Sequence, residues 1–106
     1  MNDTRDADAS AGAFTATDQG WRFDGRLTMD TAAAVMASAD ALPLPGSGRV
    51  DFGGLTQGDS SALAVIMALR RRALAEKRAL RIDNLPAALL SLAVAYGVDD
   101  ITRGTA

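Results

Sequence analysis

The apolar and polar positions change period along the chain, and each change predicts an element. Met1 to Ala13 is polar, acidic and small, so residues 1–12 are expected to form a disordered tail ahead of one domain over 13–106. Phe14 to Thr17 is a short strand candidate, and Asp18, Gln19 and Gly20 make a turn signal. Trp21, Phe23 and Gly25 then alternate with Arg22 and Asp24. That period of two predicts a half-buried strand, hairpinned onto the one before it.

Helical spacing follows. Ala32 to Ala39 is rich in helix formers, with Val35, Met36 and Ala39 as its apolar stripe and Thr28 or Asp30 as its cap. Pro43 to Gly48 must break that helix and run as a surface loop. Arg49 to Phe52 reads as a short strand, and Gly53 to Gly58 as a glycine-bearing loop. A long helix is expected from the caps at Asp59, Ser60 and Ser61 to about Arg78. Leu80 to Ile82 is a further strand, and Asp83-Asn84 a turn. Pro86 suits the first position of a last helix over Ala87 to Ala95, which Gly97 terminates. Val98 to Ile101 is either an edge strand or a final helical turn. The order is strand, strand, helix, strand, helix, strand, helix, which predicts an α/β domain with parallel strand pairs.

The long helix departs from the usual surface pattern. Ala62, Leu63, Ala64, Val65, Ile66, Met67, Ala68 and Leu69 leave it no polar face for more than two turns. Either the domain buries both sides or one side meets a partner. A single layer of helices does not easily enclose a helix, so an exposed apolar patch, the usual mark of an interaction site, is expected here.

Composition narrows the chemistry. At 106 residues there is room for one core and little more. A net charge of −2 gives no field that would gather nucleic acid. The chain has no cysteine and no histidine. That removes disulfides, thiolate zinc sites, the usual general base and the commonest metal ligand. Lys77 is the sole lysine, about 17 positions beyond Ser60, or ~25 Å along a helix, too far for a Ser-Lys dyad. No phosphate-binding glycine loop is present. A non-catalytic protein without cofactor or metal is expected. The longest apolar run, Ala62 to Leu69, is far short of the ~18 residues of a membrane span, and the N-terminus lacks a signal-peptide core. A cytoplasmic protein is expected, with any membrane link passing through a partner. The cluster Arg70, Arg71, Arg72, Lys77, Arg78 either balances the helix dipole or marks an acidic partner or lipid headgroups.

One segment combines these features: Val50-Asp51-Phe52 through Gly58-Asp59-Ser60-Ser61-Ala62-Leu63. A strand runs to a hydroxyl pair that opens a helix, where free N–H groups carry partial positive charge. Ser60 or Asp59 can cap that helix, and a hydroxyl there can also carry a phosphate.

This segment resembles the signature of the STAS family, the domain shared by sulfate transporters and anti-sigma-factor antagonists. Gly25-Arg26-Leu27-Thr28-Met29-Asp30-Thr31-Ala32 is similar to that family's turn between second strand and first helix. The short last helix is most similar to the MlaB type, the small subunit of a phospholipid-transport ABC complex. The resemblance implies a small mixed four-stranded sheet backed by about three helices. It implies partner binding through Asp59, Ser60, Ser61, Ala62, Leu63 and Ile66. The partner is then the ATPase subunit of an ABC transporter, with Ser60 as a contact. In the antagonist branch it is an anti-sigma kinase that phosphorylates Ser60. Arg26 and Thr28 stand where antagonist members carry acids, and Ala62 where the family commonly has glycine. The departures at Arg26 and Thr28 favour the contact over the switch, and Ala62 favours the helix.

Overall fold

The computed structural model describes residues 12–98, as one α/β domain. Strand β1 (Ala13–Thr17) turns through Asp18 and Gln19 into β2 (Gly20–Leu27). Helix α1 (Ala32–Asp40) leads to β3 (Arg49–Gly58), helix α2 (Ser60–Ala75) to β4 (Arg81–Asp83), and helix α3 (Ala87–Ala95) ends the described order. The sheet order is β1-β2-β3-β4. The hairpin pair is antiparallel, and the two pairs joined by crossover helices are parallel. This is the mixed four-stranded sheet with three helices that the resemblance implies, in the element order that the sequence pattern predicts. Most of the tail expected over 1–12 lies outside the described residues, as does the rest of the segment from Val98 to Ile101. Gly12 is buried and donates its N–H to the Arg26 carbonyl at 2.8 Å, so the packed domain already includes it.

Alternation decides the two faces of the sheet. Phe14, Trp21, Phe23 and Phe52 point inward and form one aromatic cluster, with ring centroids 5.1 to 5.8 Å apart. Val50 and Ile82 extend that floor, and Val35, Leu63, Ile66, Leu69 and Leu89 close it from the helices. The opposite face is polar. One row across all four strands reads Thr15, Arg22, Asp51, Asp83. Arg22 pairs with Asp24 and Asp51, while Arg49 and Arg81 both reach Asp83.

Three local readings are corrected. Gly53 to Gly58 is strand rather than loop: β3 continues to Gly58 opposite Leu27, with register shifts on the way. The glycines serve close approach there. A Cβ on Gly54 would strike the Asp24 carboxylate and sit 2.6 Å from the Phe23 carbonyl oxygen. Helix α2 stops at Ala75, short of Arg78. Lys77 adopts a left-handed φ of 59°, and Arg78 N–H reaches back to the Ala73 carbonyl at 2.8 Å. Neither Thr28 nor Asp30 caps α1. Thr31 occupies that position, without a side-chain cap bond, and its hydroxyl instead accepts from Thr28 N–H at 2.9 Å. Gly97, at φ 72°, ends α3 as expected.

The arginine cluster is partly internal scaffolding. Arg72 donates to the carbonyls of Ala39 (3.1 Å) and Leu42 (2.6 Å), and its guanidinium lies 5.9 Å from the centre of the Trp21 ring. Arg78 donates to Pro45 at 2.8 Å. Arg72→Lys is expected to lower stability by ~1–3 kcal/mol, because an ammonium does not span both carbonyls. Thermal melting should show a drop of several degrees.

Candidate functional site

The residues expected to meet a partner separate into two groups. Ala62, Leu63 and Ile66 are buried, at 0%, 2% and 0% exposure. They belong to the core, which corrects their reading as contact residues. Helix α2 is the central helix, packed against the sheet with α1 on one side and α3 on the other. Three sides of it are covered, which is why its apolar start has no broad outward patch. Ser60 is exposed, and Asp59 and Ser61 are half-buried. The outward strip of α2 consists of Ser60, Ala64, Arg71, Leu74 and Ala75, flanked by Ser61, Met67 and Ala68.

Asp59, and not Ser60, caps the helix. Its Oδ1 accepts the Ser61 N–H at 2.8 Å, and its Oδ2 accepts the Met29 N–H at 3.0 Å. One carboxylate therefore ties the β2–α1 turn to the first turn of α2. The Ser60 hydroxyl is left free of the capping role. The hydrogen bond from Ser61 N–H, and then that from Met29, hold the Asp59 carboxyl below its ordinary 3.8. A lowered folded value means stability present above the unfolded pKa and lost as pH falls through the folded one. Denaturant titrations at about pH 7 and about pH 3 should show wild type losing more stability between them than Asp59→Asn does.

An apolar groove of about 300 Å³ runs between α1 and α2. Ala32, Ala33 and Met36 form one wall, and Ser61, Ala64, Val65 and Ala68 the other. The two helices follow parallel strands, so their N-termini share one end of the groove. Sequence reasoning missed the α1 wall and Met29. The alanines of α1 read as a helix former's choice, and nothing in their spacing says that a second helix 30 positions on leaves a cleft beside them. The open face of the sheet carries a second cavity, of about 250 Å³, between Gln19, Arg22, Arg49 and Asp51. Its arginines already pair with carboxylates.

A protein-family model described as Mlab, STAS domain matches residues 13–103. The chain belongs to this MlaB-type STAS family. The match spans the whole described sheet and all three helices, and the four-stranded mixed sheet agrees with it. None of the curated proteins compared with the chain matches it. Membership makes this STAS domain one of a family of interaction modules. Among its described residues no group of three or more acidic side chains converges to hold a metal ion, and no helix is long and apolar enough to cross a membrane.

Proposed function

We propose that this STAS domain is a non-catalytic subunit that docks on the ATPase of an Mla-type phospholipid-transport ABC complex and regulates or stabilises the assembled transporter. The observation that carries the reading is the apolar groove between α1 and α2, with Ser61, the neighbour of the exposed Ser60, in its wall. An apolar cleft flanked by a rigid helix start suits a partner's helix or loop. The family match of MlaB type supports the choice of an ABC ATPase as partner. In this reading the domain sits at the cytoplasmic side of the inner membrane and meets lipid only through its complex. Asp59, Ser60 and Ser61 stay in the contact surface, joined by Ala33, Ala64 and Ala68.

Affinity capture of the tagged full chain from native membranes should recover an ABC ATPase together with its permease. Capture that returns neither, in protein that melts cooperatively, sinks the reading.

The exposed hydroxyl of Ser60 favours one other function, that of an anti-sigma-factor antagonist. A kinase would reach Ser60 without disturbing the cap, and the phosphate would add ~1.5–2 negative charges against an apolar partner surface. Intact-mass measurement on protein from its own cells, with site mapping, distinguishes the two. Phosphate on Ser60 and a bound kinase support the antagonist; an unmodified chain in every growth state removes it.

A further inference from the structure

We propose that Met29 is the anchor of the docking surface, and that the partner receives it in an apolar pocket with a cationic rim; this rests on the docking function proposed above. Met29 is 79% exposed, the highest value among the exposed large apolar side chains of the described residues. Its loop is held from several sides. Thr28 N–H donates to the Thr31 hydroxyl at 2.9 Å, and Thr31 N–H to the Thr28 carbonyl at 3.0 Å. The Thr31 hydroxyl reaches the Arg26 carbonyl at 3.2 Å, and the Thr28 hydroxyl donates to Asp30. The Met29 N–H itself is fixed to Asp59 Oδ2 at 3.0 Å, across 30 positions of chain. A thioether on a loose loop would lose mobility on docking. One presented by a braced loop is already in place, so docking costs less conformational entropy. Methionine also fits irregular apolar pockets, because its unbranched chain adapts.

Charge sets the rim. Asp30 and Asp59 flank Met29, and both carboxylates are stabilised in the ionised form: Asp30 by the Thr28 hydroxyl first, Asp59 by Ser61 N–H first. Arg26 pairs with Asp30 at 3.3 Å and offsets one of the two charges. The loop therefore presents an apolar tip on a net anionic base, and cationic groups on the partner complement it. Asp59 acts as the positioning residue, since its second oxygen is what ties Met29 to the first turn of α2.

The complex formed by the full chain in native membranes, with its partner identified by mass spectrometry and then purified, supplies the test. Met29→Ser is expected to weaken that complex by ~10- to ~100-fold, while Met29→Leu stays within ~3-fold. Both variants should melt as wild type does, because the side chain faces solvent. Asp59→Asn keeps one acceptor oxygen and loses the charge. It should weaken the complex several-fold and shift the Met29 amide resonance of the free protein. Wild-type affinity should fall as salt rises. An ATPase complex indifferent to Met29→Ser overturns the anchor and leaves the ATPase as partner. Affinity independent of salt overturns the cationic rim. A Met29-dependent complex with an identified protein that is not an ATPase overturns the partner reading and keeps the anchor. A folded chain that forms no complex at all overturns both.

Discussion

Ile66→Asp is expected to unfold the domain rather than to detach it from a partner. Ile66 is 0% exposed on the inward side of α2, in the same core as Phe23, Phe52 and Leu69. Removing the isoleucine side chain alone forfeits packing worth ~2–5 kcal/mol. The aspartate that replaces it must either stay charged without a partner or take up a proton, a further cost of several kcal/mol. Together these match the ~5–15 kcal/mol that holds a whole domain of this size folded. The variant should show no cooperative melt and a collapsed amide spectrum. Leu63→Asp should behave alike. A complex lost in either variant therefore reports on folding, not on the interface. A cooperative melt within a few degrees of wild type would contradict the burial of this helix.

Local pattern carried most of the fold. The period-two run from Trp21 to Gly25 marks β2 because one face of the sheet is apolar and the other is laced with ion pairs. Pro86 and Gly97 mark the ends of α3 because each has a backbone reason to stand there: a fixed φ before the helix, a left-handed φ after it. Where the sequence misled, a long-range contact had overridden a local signal. Gly53, Gly54 and Gly58 read as a loop, yet all three lie in β3, and Gly54 lets that strand press against β2, a relation invisible without the partner strand. Lys77 ends α2 in the left-handed region with no glycine to announce it. The apolar start of α2 turns most of its side chains into the core, where the pattern alone predicts an exposed patch. One-layer geometry still encloses a central helix when two others flank it.

The site was half legible for the same reason. Asp59-Ser60-Ser61 announces a helix start, and local chemistry is enough to see it. Which of the first two residues caps could not be read, because the choice depends on Met29 N–H, 30 positions away, which gives the aspartate a second donor. Met29 itself stood in a turn with no periodicity to mark it. The groove needs α1 and α2 side by side. Its alanines carry no functional signal until two helices bring them together.

Ala64→Arg is expected to abolish docking while leaving the fold in place. Ala64 is exposed on α2 and forms part of the groove wall opposite Ala33 and Met36. Arginine is nearly as good a helix former as alanine, so the substitution costs the helix only a few tenths of a kcal/mol. Its long side chain finds solvent in the free protein. In the complex it fills a cleft of about 300 Å³ and brings a charge into apolar surroundings. A loss of ~100-fold or more in affinity for the ATPase is expected, equivalent to ~2.7 kcal/mol or more. Melting should move by no more than a few degrees. Arg71→Ala, one turn past the groove on the same exposed strip, is the matched control and should change affinity by less than ~3-fold. The contrast with Ile66→Asp is what gives the pair its force. Two positions only two residues apart on one helix face opposite ways, so one substitution destroys the fold and the other only its use. An Ala64→Arg chain that binds the ATPase as wild type does would place the interface elsewhere on the domain.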